Sequence, residues 1–361
     1  MKPVYIIAEA GVNHNGDAKL ASELIDAAAE AGANAIKFQI FKAENLVTKN
    51  AKKSAYQKNN TNSDDTQFLM LKSLELTNET HLKLFEHCKK KKIEYLASSF
   101  DQDSLRFLLE DLNLNTLKIA SGEITNGPFI LQHAMHGSNI LLSTGMSTFE
   151  EIEDALGVIA FGLLINSKFF NVLPSKTNFK SAFMSKEGQK ILREKVTLLH
   201  CTSDYPAQLK EINLNAMVAM KKKFNLEIGY SDHSQGILVP IAATALGAKV
   251  IEKHFTMDKK LSGPDHNASL NPKELASMIN VVRNTEKLLG ESKKIPQASE
   301  LINMSLIRKS IVARKKIEKG KIFTSDDITF KRPADGRSPM DYWEILNDKS
   351  KLNYDIDDHI E

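Results

Sequence analysis

The feature that most limits how this chain can fold is a repeated alternation. Short apolar or β-branched runs recur between segments whose apolar residues follow the helical period. The strand candidates are Val4–Glu9, Ala35–Gln39, Ile93–Ala97, Thr116–Ile119, Asn139–Ser143, Val196–His200, Glu227–Tyr230 and Val250–His254. Helix-length segments separate them, among them Lys19–Ala31, Thr80–Lys91, Ser104–Asp111, Thr148–Ile159 and Leu238–Leu246, and Pro272–Leu289 follows the last. About eight βα units within ~250 residues or slightly more match a closed (β/α)8 barrel. A doubly wound sheet is the alternative, but it usually carries a glycine-rich phosphate turn, and neither G-x-G-x-x-G nor G-x-x-x-x-G-K-[ST] occurs. The expected fold is therefore α/β, a TIM barrel.

Two long polar connections interrupt the alternation. Lys42–Asn78 follows the second strand and is read as a wall of the barrel mouth, because loops after strands lie on that face. Phe161–Lys195 precedes the sixth strand and is read as a peripheral excursion on the far face. Leu289–Met304, with Gly290, Ser292 and Pro296, reads as a linker. The remaining residues alternate around Ser310–Ala313 and Ile328–Lys331, which predicts a small β-rich domain. The boundaries are then 1–288, 289–304 and 305–361.

Composition excludes several classes. Of the 361 residues, 42% are hydrophobic, too many for a disordered chain. No apolar run approaches the ~18 residues of a membrane span, and Met1-Lys2-Pro3-Val4 leads into a strand without a signal-peptide pattern. A net charge of +3 is too balanced to point to nucleic acid. Two cysteines, Cys88 and Cys201, are too few for a disulfide framework and fit a reducing cytoplasm.

Strand C-termini face the mouth of a barrel, and these ends carry an unusual polar set. It comprises Glu9, Lys37, Gln39, Ser98, Lys118, Ser121, Glu123, Ser143, Ser203, Tyr205, Ser231, His233, Glu252 and His254. An inward lysine is expensive to bury unless it meets an anion. Lys37 and Lys118 beside several hydroxyls fit a polyanionic ligand; an internal network with Glu9 or Glu252 is the plainer alternative. Ser143-Thr144-Gly145 precedes a helix whose free N–H groups suit phosphate. His233 and His254 end adjacent strands ~4.8 Å apart, so both imidazoles can reach one divalent ion, with Asp232 and Asp265 nearby. Cys201 reads as a small buried residue, not a nucleophile.

These residues lie in runs that resemble one family. Ile6-Ile7-Ala8-Glu9-Ala10-Gly11-Val12-Asn13-His14-Asn15-Gly16, Ile36-Lys37-Phe38-Gln39, Lys118-Ile119-Ala120-Ser121-Gly122-Glu123 and Leu142-Ser143-Thr144-Gly145-Met146 are joined by Leu199-His200-Cys201-Thr202, Gly229-Tyr230-Ser231-Asp232-His233, Glu252-Lys253-His254-Phe255-Thr256 and Gly263-Pro264-Asp265-His266. Together they resemble the sialic acid synthases, the phosphoenolpyruvate-dependent nonulosonate synthases. Arg308-Lys309-Ser310-Ile311, Lys319-Gly320 and Lys331-Arg332-Pro333 resemble that family's C-terminal antifreeze-like (SAF) domain.

The resemblance implies a transferase that condenses phosphoenolpyruvate with an open-chain N-acetylated hexosamine and water, releasing phosphate with C–O cleavage. It implies phosphoenolpyruvate binding by Lys37, Ser98, Lys118, Ser121, Ser143, Ser203, Ser231 and His233. It implies a divalent metal (Mn2+, Mg2+ or Co2+) on His233 and His254, and sugar contacts from Gln39, Glu123, Tyr205 and Asp265. Glu9 or Glu123 would move protons. Arg332 would reach the sugar from the partner subunit of a domain-swapped homodimer. Two departures stand out: Ala97-Ser98-Ser99-Phe100 lacks the proline usual in that run, and Ser203 stands where an Asn is common. Ser121-Gly122-Glu123-Ile124-Thr125-Asn126 and Tyr205-Pro206-Ala207 look closer to N,N′-diacetyllegionaminate synthases, which use 2,4-diacetamido-2,4,6-trideoxymannose. Ser262-Gly263-Pro264-Asp265-His266 and Ser338-Pro339-Met340 also resemble N-acetylneuraminate synthases, which use N-acetylmannosamine. Two other classes are a metal-dependent barrel hydrolase, which leaves the lysines unused, and a non-catalytic carbohydrate-binding barrel, which has no need of Glu9 or the histidine pair.

Overall fold

The structure is a computed structural model that describes residues 2–61, 65–167 and 172–361. Eight parallel strands close into a barrel in sequence order: β1 (Tyr5–Gly11), β2 (Ala35–Ile40), β3 (Glu94–Ser99), β4 (Thr116–Ile119), β5 (Asn139–Ser143), β6 (Val196–Cys201), β7 (Glu227–Asp232) and β8 (Val250–His254). All eight expected strands are present, with ends shifted by no more than two residues. Closure comes from β1 pairing with β8, Ile7 opposite Glu252 and Glu9 opposite His254. The chain divides into two compact units, Met1–Gly290 and Glu291–Glu361.

Strand alternation sorts the barrel interior into tiers. Ile7, Ala35, Leu96, Leu141, Leu199 and Val250 form an apolar plug inside the strands. Two residues further along, the same inward faces carry Glu9, Lys37, Ser98, Ser143, Cys201 and Glu252. The outward faces, including Ile6, Ala8, Ile36, Phe38, Ile119 and Ile251, join the large core beneath the helices. Each tier thus follows from side-chain period alone.

Both long connections are more ordered than their polar composition predicts. Within 42–78, short helices run over Ala43–Leu46, Ala55–Thr61 and Gln67–Leu74. The helix begun at Phe149 continues to Asn166, past the expected end at Ile159. Helices Lys176–Met184 and Lys186–Lys195 follow it. This corrects the peripheral reading of 161–195: Phe161, Leu163 and Leu164 are core residues, and Phe161 meets Phe179 edge-on at 5.1 Å. On another side of this helix Gly162 allows a close approach to Ala134, whose Cβ would sit 2.6 Å from a Cβ placed there. Residues 168–171 of this connection lie outside the described residues.

A second correction concerns the linker. Ala298–Ile307 is a helix, begun by a capping box between Gln297 and Glu300. At ~1.5 Å rise per residue it spans less than half the reach of extended chain. Beyond it, β9 (Ser310–Ala313) and β10 (Ile328–Lys331) pair antiparallel. Ile311, Ala313, Ile317, Phe323, Ile328, Ile345, Tyr354 and Ile360 form this unit's own small core. Asp327, wholly enclosed, is bonded by Lys321, Thr324 and Lys315. Among the described residues no helix is long and apolar enough to cross a membrane.

Three of the histidines buried in the first unit illustrate why its stability depends on pH. Burial pushes His133 and His14 down to about 4 and His81 to about 3, so all three are neutral in the folded chain. His133 is held by Phe129 O at 2.8 Å and Ser99 Oγ at 3.2 Å. Below pH ~6.5 the unfolded chain binds protons that the folded chain refuses, so stability falls as pH drops from 6.5 towards 4. A drop from the ordinary value to about 4 at His133 corresponds to about 3 kcal/mol. Glu9 and Asp265, both raised to about 7 by burial, act the other way over this range but are outnumbered, since His233, His254 and His266 are lowered too. The urea midpoint of the barrel, followed by far-UV circular dichroism, should therefore fall between pH 7 and pH 5. His133→Gln should flatten that slope; an unchanged slope would exclude this residue as a cause.

Candidate active site

The second interior tier is a charged layer. Lys37 Nζ lies 2.7 Å from Glu9 Oε2, 3.1 Å from Ser98 Oγ and 3.6 Å from Glu252 Oε2. Lys118 Nζ lies 3.6 Å from Glu252 Oε1, which also accepts the Ser231 hydroxyl at 2.5 Å. All six of these side chains are buried. The internal lysine–glutamate network, weighed above as the plainer alternative, is therefore present, with Glu252 as a counter-ion shared by two lysines. Strand-end reading found Glu252, but its role needs the closed barrel, because its two lysine partners lie more than 130 residues away in sequence.

Burial and charge pull these groups apart. Burial raises Glu252, but Lys118 and Lys37 outweigh it and hold the carboxyl down at about 2. Burial dominates at Glu9 and pushes it up to about 7 despite Lys37. Burial alone would lower Lys37, yet Glu252 and Glu9 together raise it. At Lys118 burial wins and the ammonium is lowered, with Glu252 opposing. One carboxylate is firmly ionised and its neighbour sits at neutrality, the separation that acid–base work uses.

Above this layer stand the histidines. His233 Nδ1 donates to Thr202 O at 2.6 Å, which leaves Nε2 to accept the Tyr205 hydroxyl at 3.1 Å. The His233 and His254 ring centroids are 5.5 Å apart, and the Tyr205 ring lies tilted by 31° against the first at 4.1 Å. His254 Nδ1 is buried without a hydrogen-bond partner, 4.0 Å from Asp265 Oδ2. Burial lowers both imidazoles, the second well below its ordinary value, and raises Asp265 to about 7. Neutral imidazoles are the ligating form: His254 Nδ1 is free, and His233 Nε2 would exchange the Tyr205 hydroxyl for a metal, so this pair fits a divalent ion. Among the described residues no three or more His, Cys, Asp or Glu side chains form a complete cage. Such an ion would need substrate or water oxygens.

Gly11 carries the turn that brings the tiers together. Its φ is +54°, and a Cβ there would meet Glu9 at 3.2 Å, His254 at 3.4 Å and Gln39 at 3.6 Å. Gln39 is thus beside the glutamate and the histidine. Ser121 and Ser203 face each other at 3.2 Å across Gly145, and Ser143 Oγ is buried without a partner. Glu123, half-buried, accepts from Asn126 Nδ2 at 2.9 Å, a contact apart from the charged layer. Arg332 follows β10 in the second unit and is exposed. The buried Cys201 thiol is pushed up by burial, as expected of a packing residue.

One residue escaped sequence reading. Tyr56, on the helix Ala55–Thr61, lays its ring 4.9 Å from that of Tyr205, and Asn60 Nδ2 donates to Pro264 O at 2.6 Å. The connection after β2 does wall the mouth, through a helix its polar composition concealed.

Comparison with known proteins accords with this geometry. Residues 24–294 match the NeuB family and residues 308–353 the SAF domain. The chain is 46% identical to N,N′-diacetyllegionaminic acid synthase of Campylobacter jejuni, covering 100% of this chain and 99% of that one. It is 42% identical to the protein of the same name from Legionella pneumophila, over 97% and 91%. The crystal structure of the N-acetylneuraminic acid synthetase of Leptospira borgpetersenii, in complex with citrate, superposes with a TM-score of 0.66 at 35% identity, over 84% and 90%. A barrel with a charged inner layer beneath a histidine pair, and a SAF domain after it, therefore belongs to the NeuB family of sialic acid synthases.

Proposed function

We propose that this enzyme is a transferase that condenses phosphoenolpyruvate with open-chain 2,4-diacetamido-2,4,6-trideoxymannose to give N,N′-diacetyllegionaminate. C3 of phosphoenolpyruvate bonds to the aldehyde carbon, water adds at C2, and phosphate leaves with its bridging oxygen's C–O bond cleaved. The observation that carries the reading is the pair of buried ammonium groups, Lys37 and Lys118, inside the barrel below the mouth, joined by a shared carboxylate. With Glu9 protonated the layer has one positive charge in excess, which favours an anionic substrate. Hydroxyls of Ser98, Ser121, Ser143, Ser203 and Ser231 would complete the anion site. Glu9, titrating at about 7, would hold or take the proton that water loses. Gln39, Glu123, Tyr205 and Asp265 would bind the sugar.

His233 and His254 would hold Mn2+, Mg2+ or Co2+, which supplies Lewis-acid polarisation of the aldehyde oxygen. Arg332 would complete the site of the partner subunit in a domain-swapped homodimer. In support, no residue of the helix Ala298–Ile307 is buried, and Leu301, Ile302, Leu306 and Ile307 are exposed, an apolar surface suited to a second copy. Cys88 and Cys201 are both free and buried, which supports a cytoplasmic setting.

Phosphate release from phosphoenolpyruvate with each candidate sugar tests the reaction. The diacetamido sugar should exceed N-acetylmannosamine in kcat/KM by about 5- to 150-fold, the effect of one unmade buried hydrogen bond of ~1–3 kcal/mol. Preference for N-acetylmannosamine would make this an N-acetylneuraminate synthase, and no release with any sugar would sink the enzyme reading. Chelator should abolish turnover and Mn2+, Mg2+ or Co2+ restore it, while His254→Ala should lose most activity with its circular dichroism unchanged. Full turnover in excess chelator would remove the metal. Under subunit exchange, inactive Lys37→Ala and inactive Arg332→Ala chains should together regain activity, because a mixed dimer has one site with neither defect. No recovery despite proven exchange would mean that Arg332 serves its own barrel.

A further inference from the structure

Behind the two histidines, on the outward face of the same strands, lies an ion pair that the proposed reaction does not use. Lys253 Nζ donates to Asp232 Oδ2 at 2.6 Å, and both side chains are wholly enclosed. The same ammonium group donates to the carbonyl of Ser234. Asp232 Oδ1 accepts from the Ser234 N–H at 2.9 Å. Residues 232 and 234 flank His233, and Lys253 immediately precedes His254. One ammonium group therefore ties the backbone on both sides of the first imidazole to the residue next to the second. The register agrees, with Asp232 opposite Lys253 in the β7–β8 ladder.

Stability alone does not explain this pair. Two enclosed charges recover in mutual attraction about what they lose in hydration, and an apolar pair of similar volume usually holds a fold as well. An apolar pair has no directional bonds, however, and cannot grip the Ser234 backbone. His254 is the residue that needs such a grip. Its Nδ1 has no hydrogen-bond partner, so the aim of the ring depends on where its backbone is held. His233, by contrast, is also oriented through its own Nδ1 bond to Thr202.

We propose that Asp232 and Lys253 are positioning residues that set the spacing and aim of His233 and His254 towards a shared ligand. This rests on the reading of those histidines as metal ligands.

The test measures Mn2+ binding to the full chain without substrate, by titration calorimetry and by the electron paramagnetic resonance of bound Mn2+. Asp232→Leu combined with Lys253→Met removes both charges together, so neither is left buried and unpaired. Its Mn2+ Kd should rise about 10- to 100-fold, the range for partners that orient metal ligands, and its resonance should broaden. kcat should fall with it, while KM for phosphoenolpyruvate should rise less than the Mn2+ Kd, because Lys37 and Lys118 are untouched. A folded double variant that binds Mn2+ like the parent overturns the proposal. Should that variant not fold, the neutral pair Asp232→Asn with Lys253→Gln decides: it keeps hydrogen-bonding groups and strands no charge but is too short to hold Ser234 as the lysine does, and unchanged Mn2+ affinity overturns the proposal equally. Failure of the parent chain itself to bind Mn2+ overturns the metal reading, and the positioning role with it.

Discussion

Everything at the mouth of this barrel depends on a buried charge layer in which Glu252 serves two lysines. Four ionisable groups leave water together there, and none would be tolerated alone. Glu252 makes the layer possible because its two carboxylate oxygens face different strands, one towards Lys37 and the other towards Lys118. The arrangement needs a closed barrel: Glu9 meets Lys37 through the β1–β2 pair, but an open sheet would leave β8 apart from β1 and carry Glu252 away from Lys37. The apolar plug below plays a matching part. Ile7, Leu96, Leu141 and Leu199 keep water from reaching the charges from beneath, so any ligand must come from the mouth.

That layering separates what the residues do. Lys37 and Lys118 share Glu252, so an anion entering the site would meet a pair of ammonium groups that is only partly compensated. Glu9 is the adjustable member. It sits near neutrality because burial outweighs its lysine, and an arriving anion would push it further towards the protonated form. The tier above is neutral by comparison, with two neutral imidazoles against the Tyr205 ring.

Much of this was legible in one dimension because strands impose a period of two. Once Lys37 and Gln39, or Glu252 and His254, are placed on strands, their shared inward face follows with no knowledge of neighbours. Partnership was harder. Glu252 looked like one polar residue among several until closure set it between two lysines. The helices of 42–78 and 161–195 were hidden for opposite reasons. Tyr56 lies in a segment so polar that it reads as loop, whereas Phe161, Leu163 and Leu164 follow a helix that is apolar on nearly every face, which erases the amphipathic stripe that marks a helix end. Ala298–Ile307 shows a third case, a helix written with a capping box but embedded in residues that otherwise read as tether.

The shared counter-ion also has a meaning for how the chain is made. Lys37 finds Glu9 among residues synthesised before it, but Lys118 has to wait for Glu252, which is 134 residues later in the chain. At ~5–20 residues per second, a ribosome takes on the order of ten seconds to cover that distance. Throughout that interval the nascent barrel holds an ammonium group that no interior will accept, so its first strands stay hydrated and unsealed. The charge layer is thus completed by the same strand that closes the barrel, the last of the eight to be made.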